Sequence, residues 1–344
     1  MTEPTAFIQK LLQEHYPCGE LRGLVFNPGT GFSGAELYRV ETNTGRFALR
    51  GWESSPEQRQ RLDQAFSVIR YAGEQGCGDF LSTAVPSRGG EGLVEAHGQL
   101  WQLSRWLEGE PNFNAAPSAH KLRGALRSLA KFHQTTARYE SREGCCNAIP
   151  CRLVECRAVA NYLQLLQEPI QREPNAELQR TAWELWQRVS FRSPGLFERG
   201  QPLGQLNFLV RPVLGDLWRE NVLFEGENFS GFVDYTAIRT DAVSVDLARL
   251  LGSLELDGRV PWEAGIAAYE EVSRLTDNEK KILPWLHESG LVLGGLNWLQ
   301  WIFVHRMQFS QPKAVLQRMQ EVSRQLLELG GESGVGNNSL VLPL

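Results

Sequence analysis

Gly215-Asp216-Leu217-Trp218-Arg219-Glu220-Asn221-Val222-Leu223-Phe224 leads, through Glu225-Gly226-Glu227-Asn228, into Phe229-Ser230-Gly231-Phe232-Val233-Asp234-Tyr235. A carboxylate, a carboxamide and a second carboxylate are thereby spaced by five and thirteen positions. Asn221–Phe224 and Phe229–Val233 read as two short strands around a turn rich in Gly, Glu and Asn. Such a hairpin brings Asn221 and Asp234 together at its open end, beside the loop that holds Asp216.

Three oxygen-bearing side chains at one place are what a magnesium–nucleotide phosphotransferase requires. Phosphoryl transfer asks a protein mainly for positioning and charge stabilisation. The stretch resembles the catalytic and metal loops of the aminoglycoside phosphotransferase family, the small-molecule branch of the protein-kinase-like fold. The Gly215-Asp216-Leu217-Trp218 wording is similar to fructosamine kinases within that branch. The resemblance implies that Asp216 is the catalytic base and that Asn221 and Asp234 are magnesium ligands. Magnesium suits this, because it takes few protein ligands and keeps waters and phosphate oxygens.

Upstream, Pro28-Gly29-Thr30-Gly31-Phe32-Ser33-Gly34-Ala35 contains Gly-x-Gly-x-x-Gly, a string that dinucleotide-binding folds also use. A dinucleotide unit continues into a helix. Here Glu36–Val40 alternates like a strand, Thr42–Gly45 reads as a turn, and Arg46–Arg50 as another strand. Strand, glycine loop, strand, turn, strand is the phosphate-covering order of kinases. A hydride-transferring oxidoreductase is therefore disfavoured, the more so as repeated βαβ units are lacking. By the resemblance, Gly29, Gly31, Ser33 and Gly34 approach the phosphates of ATP, Ala48 lies over the adenine, and Arg50 meets the α- and β-phosphates. Arg105 and Trp106 fall in the segment corresponding to the adenine-binding hinge.

Three departures from the family pattern stand out. Arg50 replaces the usual Lys, and a planar guanidinium is not an ammonium point charge. Leu214 stands where a His is usual, and Tyr235-Thr236 where Phe-Gly or Trp-Gly is usual. The following helix opens with Ser55 as N-cap, Pro56 at its first position and Gln58 placed to close a capping box. Its Leu62, Ala65, Phe66, Ile69 and Ala72 form a packing face. Neither Glu57 nor Asp63 matches the position of the carboxylate that kinases set against the strand cation. Arg50, Leu214 and the unplaced helix carboxylate motivate an alternative: a kinase-like nucleotide-binding protein without turnover.

At 344 residues the chain is long for one core and two lobes are the natural expectation. The reading is an α+β, two-lobed protein-kinase-like fold with a small antiparallel N-lobe and a mostly helical C-lobe. Residues 1–107 form the nucleotide-binding lobe, 108–330 the catalytic and acceptor-binding lobe, and 331–344 a flexible tail, which begins in the glycine-rich run from Gly330. From Pro117 the pattern is helical, and His133 ends the stripe Leu122, Ala125, Leu126, Leu129, Ala130 as a hydrogen-bonded core histidine. Only twelve positions separate Asp234 from Asp246-Leu247-Ala248-Arg249, where another helix opens. That leaves little room for a peptide-docking segment, so the acceptor is a small molecule: aminoglycoside-, amino alcohol- or sugar-like. Trp298 and Trp301, at helical spacing, read as core rather than as an aromatic wall for a cationic acceptor.

Net charge of −5 without a Lys/Arg-rich run argues against nucleic acid as partner. The N-terminus has neither a basic nor an apolar signal region. The apolar window Gly290–Val304 is shorter than a bilayer span and broken by Asn297 and Gln300, so it reads as a buried helix. The expected location is the cytoplasm. Cys145, Cys146, Cys151 and Cys156 lack any Cys-x-x-Cys unit and read as reduced thiols in a helical insertion.

Overall fold

The computed structural model describes residues 3–27, 35–255, 259–309 and 311–331. In chain order come α1 (Glu3–His15), β1 (Leu21–Asn27), β2 (Glu36–Thr42), β3 (Arg46–Glu53) and α2 (Pro56–Ala72). Then follow β4 (Val94–Ala96), β5 (Gln99–Arg105), α3 (Ala119–Thr136), β6 (Arg142–Gly144), α4 (Ala148–Gln171), α5 (Ala176–Arg192) and α6 (Leu196–Gly200). β7 (Phe208–Val213), β8 (Val222–Glu225), β9 (Asn228–Phe232) and β10 (Arg239–Asp241) precede the last helices. These are α7 (Ser244–Leu251), α8 (Trp262–Glu270), α9 (Asp277–Phe303) and α10 (Pro312–Gly331). The glycine segment 28–34, carrying Gly29, Gly31, Ser33 and Gly34, lies outside the described residues, as does 332–344.

The chain divides into two compact units. The first takes the residues up to Ser141 together with Arg211–Thr240 and Ser253–Arg274. It contains a five-stranded sheet in the order β1-β2-β3-β5-β4, with antiparallel neighbours throughout. Alternation along β2 and β3 sends one set of side chains to each face. Val40, Leu49, Trp101 and Leu103 pack on one face with Ile8, Leu11, Leu12 and Tyr16. Ile8, Leu11 and Leu12 recur at helical spacing, which is why Glu3–His15 coils into a covering helix. Trp52 and Leu100, on the opposite face, pack with Leu62 and Phe66 of α2.

α2 starts as its sequence dictates: the Ser55 hydroxyl accepts from the Gln58 N–H at 3.1 Å. The expected capping box is not completed. Gln58 instead accepts from Arg61 through its own side-chain oxygen at 2.9 Å, because an exposed guanidinium three residues on competes for it. α3 carries the anticipated stripe, all of it buried. His133 is fully buried and shares a hydrogen bond with the Tyr269 hydroxyl at 2.9 Å, the core role expected of it.

The second unit comprises Arg142–Val210, Asp241–Gly252 and the chain from Leu275 onward. It is built from α4, α5, α7, α9 and α10, with β6 paired antiparallel to the start of β7. The Asp241 carboxylate accepts from the N–H groups of Asn147 and Ala148 at 2.8 and 3.1 Å. That anion sits where the unpaired donors at the start of α4 need one. α9 contains the apolar window foreseen as a buried helix, with Trp285 and Trp298 at 5% and 7% exposure. Among the described residues no helix is long and apolar enough to cross a membrane. α10 continues through Gly331, so the helix runs past the start of the glycine-rich run that was read as tail. All six cysteines are free thiols; Cys151 and Cys156 lie on α4.

Candidate active site

The hairpin formed by β8 and β9 is the frame of the site. Val222 pairs with Phe232 and Leu223 with Gly231. The Val233 N–H then donates to the Asn221 carbonyl at 3.0 Å, extending the pairing one step beyond both strands. Asn221 and Asp234 consequently stand at the open end, as the sequence pattern requires. The hairpin is held by backbone on both edges. Phe224 exchanges two hydrogen bonds with Glu110 (2.9 and 3.0 Å), and the Phe232 N–H donates to the Phe80 carbonyl at 3.0 Å. Rings of Phe80, Phe229 and Phe232 meet beneath it with centroids 4.8–6.0 Å apart. Aromatic contacts of this kind add to area burial and fix position.

Asp216 is exposed between Leu214 and Leu217, which are 2% and 1% exposed. Two buried leucines pin the loop and leave the carboxylate outside. The Asn221 carboxamide donates through Nδ2 to the Asp216 main-chain carbonyl at 3.0 Å. That bond ties the Asn221 side chain to the loop of Asp216. Gly215 has φ +83°, and a Cβ there would lie 2.1 Å from the Ala237 carbonyl oxygen. The segment after Asp234 is therefore pressed directly against the backbone before Asp216. The Asn221 carboxamide and this backbone contact both brace the loop.

Asp234 adopts φ +64°, in the left-handed region. Its Oδ1 accepts from the Thr236 hydroxyl at 2.9 Å. Tyr235, next to it, is buried and its hydroxyl accepts from the Ser82 N–H at 2.8 Å while donating to the Phe232 carbonyl. Burial pushes the Tyr235 phenol far above its ordinary pKa; the Ser82 N–H and the charges of Arg50 and Arg105 work against that rise, and Asp234 adds to it. Arg50 and Asp234 thus both act on the Tyr235 phenol, with opposite sign. Sequence reading saw Tyr235 only as a departure, whereas its phenol ties the metal-loop candidate to residue 82.

The register of β3 and β5 sets Ala48 opposite Ser104, Arg50 opposite Gln102 and Trp52 opposite Leu100. Directly opposed residues share a face. Ala48 and Arg50 thus lie on the α2 side of the sheet. The Arg50 guanidinium reaches only the Ser104 hydroxyl, at 3.5 Å, and has no ion-pair partner among the described residues. Glu57 and Asp63 are exposed, and the sheet-facing stripe of α2 is apolar. The Arg105 guanidinium donates to the Gly78 and Asp79 carbonyls at 2.7 and 2.9 Å. The N–H groups of Arg105 and Trp106 go to the carbonyls of Thr83 and Arg46. No described residue accepts from the Leu107 N–H. The same holds for the N–H groups of Glu108 and Gly109.

Comparison with known proteins decides the wider identity. The model of the phosphotransferase enzyme family (APH) matches residues 29–285. The chain belongs to that family. It is a nucleotide-dependent phosphotransferase that acts on an alcohol group of a small molecule, a small-molecule kinase. A homoserine kinase of Bradyrhizobium diazoefficiens (strain USDA 110) is 24% identical over 291 residues, covering 83% of this chain and 82% of that enzyme. A homoserine kinase of Beijerinckia indica subsp. indica is 32% identical over 110 residues, 30% of this chain and 34% of that enzyme. Among solved structures, a spectinomycin phosphotransferase in complex with ADP and spectinomycin superposes with a TM-score of 0.64 at 13% identity. The match covers 94% of this chain and 97% of that one. An amicoumacin kinase in complex with AMP-PNP and Ca2+ gives 0.62 at 14% identity, over 95% and 97%. The fold is the two-lobed α+β fold of kinase-like phosphotransferases.

Proposed function

We propose that this protein transfers the γ-phosphoryl group of ATP, with magnesium, to the hydroxyl of a small amino-acid-like alcohol such as homoserine. The observation that carries the catalytic half is the hairpin: one backbone-braced frame presents Asn221 and Asp234 beside the loop of exposed Asp216. The acceptor half rests on the homoserine kinase of B. diazoefficiens, which is similar over most of both chains.

Asp216 accepts the proton of the acceptor hydroxyl. The acceptor oxygen forms a bond to the γ-phosphorus while the bond from that phosphorus to the β–γ bridging oxygen breaks, and ADP leaves. Arg50 neutralises charge on the phosphates. Gly29, Gly31, Ser33 and Gly34 belong to the proposed phosphate loop on sequence grounds alone, and Ala48, Arg105 and Trp106 to the adenine surround. Asn221 offers its carboxamide oxygen and Asp234 its second carboxylate oxygen, a hard donor set that fits magnesium. Bound there, the cation would neutralise phosphate charge. Two protein side chains suit a cation that keeps waters and phosphate oxygens for its other positions. The functional division falls at residues 107 and 108, and the reaction belongs to the cytoplasm, where ATP is supplied.

The test is ADP release and product mass with L-homoserine and a panel of small alcohols, comparing wild type with Asp216→Ala. Loss of a positioned general base lowers kcat by about 10²- to 10⁴-fold. An unchanged rate in the variant removes Asp216 from the mechanism. Nucleotide binding without acceptor-dependent ADP release from L-homoserine or its analogues in the panel overturns the proposed acceptor class.

A further inference from the structure

Gln102 is 3% exposed, and its Nε2 is a buried donor with no acceptor among the described residues. Leaving such a group unpaired costs roughly 1–3 kcal/mol of desolvation, so its persistence calls for an explanation. Its position supplies one. Gln102 stands directly opposite Arg50 in the β3–β5 register, on the face that also carries Ala48 and Ser104. Arg50 is itself a cation without a carboxylate partner among the described residues, since α2 turns only apolar side chains toward the sheet. Two donors, one charged and one neutral, are therefore neighbours across the strands: among the described residues Gln102 Nε2 has no acceptor and Arg50 has only the Ser104 hydroxyl, at 3.5 Å. Ala35, the first described residue after the glycine segment, packs against the Trp52–Leu62 cluster of this same face.

We infer that Gln102 is a nucleotide ligand: its carboxamide N–H and the Arg50 guanidinium together bind an oxygen of the triphosphate chain. The neutral carboxamide takes the place that a carboxylate on the helix would fill beside a strand lysine. The cation then keeps its full charge for phosphate instead of sharing it with an anion, which compensates for the weaker point charge of a delocalised guanidinium. The inference rests on the nucleotide-binding half of the reading above and is independent of which alcohol is the acceptor.

The experiment is titration of the full-length protein with AMP-PNP and magnesium by calorimetry, alongside urea unfolding of the nucleotide-free protein. Gln102→Leu removes the unpaired donor at similar volume. The expected result is nucleotide affinity lowered about 10-fold or more, the loss of one hydrogen bond to a charged group, with unliganded stability equal or higher. Gln102→Glu places a carboxylate against Arg50 and is expected to weaken nucleotide binding further. Leucine binding as tightly as wild type overturns the inference and makes Gln102 a buried orphan only. Glutamate binding more tightly than wild type also overturns it, because Arg50 would then be served by an anionic partner. If wild type itself does not bind AMP-PNP, the nucleotide-binding reading falls first, and the two failures are thereby distinguished.

Discussion

Replacing Gly215 by alanine separates local backbone strain from misplacement of the catalytic loop. At φ +83° an L-residue pays about 1–2 kcal/mol relative to its ordinary regions. A second effect is specific to this position. The new Cβ would lie 2.1 Å from the Ala237 carbonyl oxygen, where ordinary contact begins at 3.4 Å. The Arg239 guanidinium nearby can swing aside, but a main-chain carbonyl cannot, so the loop or its neighbour retreats by roughly 1 Å. A displacement of that size next to a reacting group lowers turnover by about 10²-fold. Gly226 is the control, because it too has positive φ, +59°, yet no atom lies within 4 Å of its would-be Cβ. Gly226→Ala therefore loses about 1–2 kcal/mol in urea unfolding and keeps its kcat. Gly215→Ala loses more stability and about two orders of magnitude in kcat, measured as ADP release with a saturating alcohol acceptor. Equal destabilisation of the two variants with kcat intact in both refutes the claim that backbone contact at Gly215 positions Asp216.

Thr236 orients the Asp234 carboxylate through its hydroxyl, so Thr236→Val is expected to raise the magnesium concentration for half-maximal rate by about 10-fold, the scale of outer-shell effects on metal ligands. Thr236→Ser should restore it, and a valine variant with unchanged magnesium dependence removes the role. Burial, and secondarily the charge of Arg152, lowers the His287 pKa from 6.5 to about 4. Between those values the unfolded chain binds a proton that the folded chain refuses. Stability is therefore retained above pH 6.5 and falls as pH drops toward 4, by up to about 3 kcal/mol. His287→Gln is expected to flatten that part of the urea-midpoint profile relative to wild type; parallel profiles contradict it.

The hairpin was legible because its signals are local: alternating apolar residues, a Gly-containing turn, and polar residues at both open ends. Asn221 proved to close a turn just ahead of β8 rather than to begin the strand, a shift of one position that leaves it at the hairpin's mouth. The buried stripe of α3 and the inward place of His133 were legible for the same reason, since helical spacing shows which side chains face inward, whereas its partner Tyr269 was not. What stayed hidden depends on strand register. Nothing in the sequence says that Gln102 faces Arg50, because they are 52 positions apart and meet only through the β3–β5 pairing. The carboxylate sought on α2 was not found because the helix presents none to the sheet, and sequence could only report that no candidate fitted.

Asp234 shows where local preference and tertiary structure conflict. Left-handed backbone is unfavourable for a residue with a Cβ, less so for aspartate than for most. Here the surrounding bonds over-determine it: Val233 is tied to Asn221, Tyr235 is clamped through its hydroxyl to Ser82 and Phe232, and Thr236 reaches back to the carboxylate. Three anchors flanking Asp234 fix a turn that aspartate alone would not choose, and strain of this kind persists where the structure gains from the resulting direction of a side chain. Tyr235 and Thr236, which depart from the usual aromatic–glycine pair, are the residues that supply two of those anchors. The departure from the family pattern and the preservation of Asp234 are therefore one fact: a glycine after the aromatic residue would give the turn freedom, whereas threonine and a buried phenol give it restraint.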